Sequence, residues 1–303
     1  MKRRGQVTLF IVLGIVLLLV FLSIYLITSQ YKQERSREDT SKSVKLIEDM
    51  KPVESYATDC ILRATALSLV LNGYHGGYTN TSPYAFYNES GTLATAGGGF
   101  VNDSNNMSVP YYIENKNMHR PTLEQLEKKI ERFAEVRFDM CMENISIFED
   151  IGLHIELPEV DFETAGWHES NLSKLNITIG NNSVFTKIYY PIKISRDDTT
   201  RTIDTFGGTV PIRFGLIYNQ FVMNITDMIN SSWSAGSDFH IYDDFNCSEN
   251  ADNMTVYSHD DSEGKPNTYI IHIVDKEYGN GYRFQFAVSD GTLNPGTGSQ
   301  CSS

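Results

Sequence analysis

The spacing with the most chemical meaning in this chain is Asn followed two residues later by Ser or Thr. Twelve such sites occur, at Asn80, Asn88, Asn102, Asn106, Asn144, Asn171, Asn176, Asn181, Asn224, Asn230, Asn246 and Asn253. Chance pairing of the 22 Asn residues with the available Ser and Thr would give about four. The side-chain amide in this setting accepts a sugar only on the exported side of a membrane. A polar, Asn-rich surface without sugars is the plainer alternative. The second pattern is the cysteines, Cys60, Cys141, Cys247 and Cys301. None belongs to a CxxC pair, which gives zinc and thioredoxin-like chemistry little support. An even number in an exported chain suggests two disulfides. Three pairings exist; Cys60–Cys141 and Cys247–Cys301 are expected, because each joins parts of one subdomain. Four buried free thiols are the alternative.

Patterns for catalysis are weaker. The chain has neither a GxSxG elbow nor an HExxH helix. Gly166-Trp167-His168-Glu169-Ser170 places a His and a Ser two residues apart on a loop, and spacing alone does not make a triad. His154 and Glu156 share one face of a strand, which a solvated surface explains. Asp243-Asp244 and His259-Asp260-Asp261-Ser262-Glu263-Gly264 are acidic, but the second run lacks EF-hand spacing and reads as a hairpin loop. Gly97-Gly98-Gly99 lacks the spacing of a phosphate cradle. The expectation is no catalytic residue, no metal, no cofactor and no enzyme activity.

The element that must position the rest is the stretch 7–28, VTLFIVLGIVLLLVFLSIYLIT, which carries no charge. A helix of about 20 apolar residues crosses the ~30 Å hydrocarbon core of a bilayer. Lys2, Arg3 and Arg4 precede it, and basic flanks stay on the cytoplasmic side. All twelve sequons lie beyond it. The expected location is the cell membrane, with an extracellular ectodomain and an N-terminus that is cytoplasmic or processed. The net charge is −13, and leaving out Lys2, Arg3 and Arg4 sets 22 basic against 38 acidic residues. Such a surface repels phosphate backbones, so nucleic acid is not an expected partner. Membrane lipid is expected, and so are copies of the chain itself in a filament. The external ligand stays open.

Lys2-Arg3-Arg4-Gly5-Gln6-Val7-Thr8 resembles the class III signal of archaeal type IV pilin-like surface proteins over about the first 25 residues. There a short basic leader ends in Gly, Gln follows the cut, and an apolar helix comes straight after. The resemblance implies processing between Gly5 and Gln6 and an N-terminal helix able to sit in a membrane or a filament core. Where those proteins usually carry a Glu, this chain has Phe10. The start of the chain, the Cys60 segment and His75-Gly76-Gly77-Tyr78 also look, more loosely, like surface proteins of small-genome archaea.

The remaining chain divides by pattern. Residues 1–6 form the basic leader and 7–28 the transmembrane helix. Residues 29–48 form a polar stalk, either helical or flexible. Residues 49–150 read as a helical subdomain with a long loop. From the end of the stalk into it, Leu46, Met50, Val53, Ala57, Cys60, Ala64, Leu67 and Leu71 make one stripe. Pro52 fits the first turn of a helix whose earlier part is separate or kinked. Within 73–121, Tyr74, His75, Tyr78, Tyr84, Phe86, Tyr87, Tyr111 and Tyr112 form either a sugar- or peptide-binding platform or a cap folded over the helices. Thr122 and Gln125 open the next helix as a capping box. Its apolar face is Leu123, Leu126, Ile130, Phe133, Ala134 and Cys141. Residues 151–303 alternate with period two and read as a β-rich subdomain. It has strands near 153–157, 175–179 and 184–194, a strand pair in 201–214, a short helix at 216–229, and strands at 238–242, 253–258, 268–274 and 281–288. The fold class is α+β: a transmembrane helix followed by helices packed with an antiparallel β-sheet ectodomain. Two functions compete. One is a structural surface protein, a pilin-like subunit or minor filament component. The other is a non-assembling anchored ectodomain that binds an external partner for adhesion or recognition.

Overall fold

A computed structural model describes residues 5–78, 100–102, 108–158, 174–234, 253–260, 268–278, 281–289 and 301–302. Outside these lie the glycine run 97–99, the 166–170 motif, Asp243-Asp244, the strand expected at 238–242, Cys247, and the sequons at Asn80, Asn88, Asn106, Asn171 and Asn246. For Asn102 and Cys301 the backbone alone is described.

The first element is one helix, α1 (Gly5–Tyr74), 70 residues long with Pro52 inside it. At 1.5 Å per residue it measures roughly 105 Å. The polar stretch 29–48 is therefore helical and not a flexible linker, and the break suggested by Pro52 is absent. Proline removes one backbone donor and crowds the carbonyl four residues back. Here that carbonyl belongs to Glu48, which is exposed along with Pro52, so water can take over the lost bond. Leu46, Val53, Ala57, Cys60 and Ala64 are buried as the stripe predicts, but Leu67 is exposed. The stripe repeats every 3.5 residues and a straight helix every 3.6, a drift of about 20° per heptad. Three heptads past Leu46 the buried face has moved to Thr65, Ser68, Leu69 and Asn72. The helix ends at a close contact. A Cβ on Gly73 would lie 2.1 Å from the Arg283 carbonyl oxygen, and Gly76 and Gly77 then turn the chain at positive φ.

The second helix, α2 (Leu123–Met142), starts with the expected box: Thr122 accepts from the Gln125 backbone and Gln125 accepts from the Thr122 backbone. Its expected apolar face is buried or half-buried throughout. Cys60 and Cys141 are joined, with Cα atoms 5.8 Å apart across 81 residues. The Tyr56 hydroxyl donates to the Cys141 carbonyl at 2.9 Å, and the Ser68 hydroxyl to the Ile130 carbonyl at 3.0 Å. A 3-10 helix, Glu143–Ile151, follows α2.

Three short strands come between these helices: β1 (Phe100–Asn102), β2 (Ser108–Glu114) and β3 (Asn117–Met118). Beyond α2 come β4 (His154–Glu156), β5 (Lys174–Ile179), β6 (Val184–Arg196) and β7 (Thr199–Val210). They form the smaller sheet. In it β6 pairs with β7 on one edge and with β5 and β4 on the other, all antiparallel. The strand pair expected within 201–214 is instead the single strand β7, a full-length partner of β6. Its two glycines do not bend it into two arms. A Cβ on Gly207 would lie 2.4 Å from the Thr186 carbonyl oxygen, and one on Gly208 would lie 3.0 Å from the Leu62 side chain of α1. The glycines thus serve close packing against β6 and α1.

After β7 the chain is helical through Phe214–Leu216, a π-helical Ile217–Val222 and α3 (Met223–Ser234). The strands β8 (Met254–Asp260), β9 (Thr268–Asp275), β10 (Tyr282–Ser289) and β11 (Cys301–Ser302) complete the larger sheet. Its order is β1-β2-β10-β9-β8-β11, with β3 on β2. The hairpin expected across 279–281 is present as β9 and β10. One pairing departs from an all-antiparallel sheet: β2 runs parallel to β10. A strand from the 49–150 region thus lies inside the sheet of the 151–303 region, and one buried cluster runs from Leu46 through Ile130, Ile188 and Phe221 to Val288.

Two outcomes follow. Replacing Cys60 and Cys141 together by Ala should cost about 4.5 kcal/mol, by the chain-entropy account of an 81-residue loop. A urea midpoint that does not move would refute a cross-link that matters to stability. Burial pushes the Asp139 carboxyl up, and the neighbouring Glu143 adds to this. The folded state therefore favours protonated Asp139, and stability falls as pH rises through its raised pKa. Asp139→Asn should raise the melting temperature at pH 7 and leave it unchanged at pH 3.

Candidate functional site: the exposed apolar end of the first helix

The first half of α1 differs from the second. Among its described side chains, Leu17, Leu18, Phe21, Leu22, Ile24, Tyr25 and Leu26 are all exposed, Phe21 and Tyr25 each at 69%. Successive residues from 21 to 26 cover every direction around the axis, so no single face is spared. Gly14 has nothing within 4 Å of where a Cβ would stand. The first buried side chain described along α1 is Leu46, so roughly 60 Å of helix precedes it. At the end of the apolar stretch the Thr28 hydroxyl donates to the carbonyls of Ile24 and Tyr25 at 2.9 and 3.0 Å. That polar group is satisfied within its own helix, as a water-free setting demands. Among the described residues no helix is long and apolar enough to cross a membrane. Most side chains of 7–28 lie outside that description, so a crossing is an expectation from the sequence alone.

Polar clusters in the head have structural partners. Asp275, almost fully buried, accepts from Arg213 Nε at 2.9 Å and Nη2 at 2.6 Å, while Arg213 Nη1 reaches Glu277 at 2.7 Å. Arg120 binds Asp227 at 3.0 Å, the Met223 carbonyl at 3.2 Å and the Thr226 hydroxyl. His154 and Glu156 lie 3.8 Å apart, both exposed, with Lys193 on the same carboxylate group at 3.4 Å, which is the solvated face expected of them. No group of three His, Cys, Asp or Glu that could hold a metal ion occurs among the described residues.

The tyrosines settle one alternative. Tyr78, Tyr111 and Tyr112 are buried and Tyr74 is half-buried. The Tyr112 hydroxyl donates to the Gly76 carbonyl at 2.9 Å, and its ring stacks on Phe286 at 4.8 Å. Lys129 sits 3.4 Å over the Tyr78 ring. Burial pushes the phenols of Tyr78, Tyr112, Tyr218 and Tyr282 well up, so none ionises near neutral pH. A platform displaying Tyr78, Tyr111 and Tyr112 to a partner is overturned; Tyr78 and Tyr112 belong to the main core and Tyr111 to a smaller cluster with Val109, Ile270 and Ala287. Tyr84, Phe86 and Tyr87 lie outside the described residues.

Every sequon Asn with a described side chain, at 144, 176, 181, 224, 230 and 253, is exposed. Gly5 and Gln6 open α1 in helical backbone. Sequence reading missed the Arg213–Asp275–Glu277 cluster and the way α2 closes a sheet edge. There Glu131 accepts from the Ile177 N–H at 3.0 Å and Glu127 from the Ile179 N–H at 2.9 Å. The two glutamates are four apart on one helix face, but only tertiary placement tells which donors they meet. Comparisons with known families, curated proteins and solved structures find nothing that matches this chain.

Asp275→Ala would leave the Arg213 charge largely buried without its main partner and should cost about 3–5 kcal/mol. Glu277→Gln, at the rim, should cost less than about 1 kcal/mol. Equal losses in chemical denaturation would show that the buried pair is not the stronger of the two.

Proposed function

We propose that this chain is a membrane-anchored surface protein, held by residues 7–28 with its head outside the cell, and built as a pilin-like structural subunit. The observation that carries the reading is α1 itself. A single helix is exposed and apolar on all sides at one end and forms the spine of a folded head at the other. A helix apolar all round must be covered, by lipid tails or by the matching helices of neighbouring copies. Its uncharged stretch of 22 residues measures about 33 Å, close to the hydrocarbon thickness. The leader that resembles a class III signal fits the same placement, and the exposed sequons fit a head on the exported side. The competing reading, recognition of an external partner through the aromatics of the 74–112 region, loses Tyr78, Tyr111 and Tyr112 to the core.

The test uses native cells. The mature protein should begin at Gln6 by mass spectrometry, and Gly5→Val should keep the leader attached. Protease added to intact cells should remove the head. Phe21→Arg with Leu18→Arg should release the protein from membranes or from sheared surface filaments, leaving the melting temperature of the head unchanged. A head digested only after lysis, or a double-Arg variant that stays in the membrane and in filaments, would sink the reading.

A further inference from the structure

The outward face of the smaller sheet carries two large rings that nothing described covers. Phe185 is 52% and Tyr189 49% exposed, on alternate positions of β6. Between them lies Lys187, also exposed. The register puts Asn176 of β5 directly across from Lys187 on one side and Gly207 of β7 on the other. Gly207 has no side chain, so the row Asn176–Lys187–Gly207 forms a trough with Phe185 and Tyr189 as its walls. Each ring is a diagonal neighbour of Asn176, a separation of roughly 7–8 Å that aromatic side chains span.

Asn176 is a sequon residue, and its third member, Thr178, lies on the same exposed face two positions on. The Thr178 hydroxyl is 3.5 Å from the Asn176 side-chain oxygen. The backbone between them is held, because Glu131 binds the Ile177 N–H and Glu127 the Ile179 N–H from the edge side. The backbone that carries the amide is thus held, with the two rings on its diagonals.

We propose that Asn176 carries a glycan whose first sugars lie in this trough, against the rings of Phe185 and Tyr189 and over Lys187. The inference rests on the outside placement of the head proposed above. In the attachment step the Asn176 side-chain nitrogen bonds to the anomeric carbon of a polyprenyl-phosphate-linked oligosaccharide. The lipid phosphate leaves with the electrons of the broken C–O bond, and the nitrogen gives one proton to the base of the transferase. A pyranose presents one face of C–H groups, which covers aromatic surface that water would otherwise wet, and its hydroxyls meet the Lys187 ammonium, a donor of up to three hydrogen bonds.

The test is a cycle of variants of the full chain made in the native host: wild type, Asn176→Gln, Phe185→Ser and the double variant, with Tyr189→Ser as a second ring variant. All these side chains are exposed, so each variant should fold. Glycopeptide mapping should find sugar at Asn176. Removing the sugar or either ring should lower the melting temperature by about 2–4 °C, the size of shift that 1 kcal/mol gives in a domain of this length. The double variant should lose no more than the single ones. Additive losses, or no loss with Asn176→Gln, overturn the inference. Sugar at Asn144 and Asn224 but not at Asn176 overturns it and leaves the outside placement standing. No sugar at any sequon overturns it as well, and protease added to intact cells then decides the outside placement separately. If Phe185→Ser dissolves an oligomer seen in sedimentation while Asn176→Gln does not, a second copy covers the face and the inference falls.

Discussion

A helix that is apolar all round at one end and on one side at the other must be covered in two different ways. In this chain both demands fall on α1. Its second half is covered from within. Leu46, Val53, Ala57, Ile61 and Leu69 lie at the centre of the cluster to which α2, both sheets and the 214–229 helical stretch contribute. The sites of closest approach are matched to this helix: Gly208 admits Leu62, and Gly73 meets the Arg283 backbone. Removing the second half of α1 would leave the inner face of β6 and β7, the apolar face of α2 and the Tyr282 edge of the larger sheet without a common partner. Among the described residues the first half has no such cover, and this asymmetry gives the helix a direction.

What the sequence made legible is what local physics determines. The capping box at Thr122 needs only four residues, and the β9–β10 hairpin needs alternation and an Asn-Gly turn. The Cys60–Cys141 bridge follows from two helical stripes that each carry a cysteine. One miss has a long-range cause. Within β2 the five residues Val109–Ile113 are all buried, the mark of a strand covered on both faces, yet its parallel partner β10 lies more than 160 residues away. Without that partner, the place of Tyr111 and Tyr112 stayed open between a binding platform and a cap over the helices. Tyr111 in fact joins Val109, Ile270 and Ala287 in a small second cluster, while Tyr112 points into the main core. Pro52 misled for a different reason: its cost depends on whether water reaches the carbonyl it orphans, which sequence does not say.

The same distinction runs through the candidate site. The apolar stretch and the sequons were visible as composition and spacing. The way the smaller sheet treats its two borders was not. On β5 the open donors are taken by glutamates of α2, which blocks addition of a foreign strand there. On β7 the contact with α1 falls on the inner face, where Gly208 meets the Leu62 side chain.

The bridge between Cys60 and Cys141 also has a mechanical consequence. It lies about ten residues past the first buried turns of α1 and ties that helix to the far end of α2. Hydrophobic packing resists shear poorly, since side chains that slide past one another exchange one set of neighbours for another. A covalent link does not slide. A pull along the rod can therefore peel α1 from the head only as far as Cys60 before it loads that bond, and the loop between the two cysteines is shielded from the force.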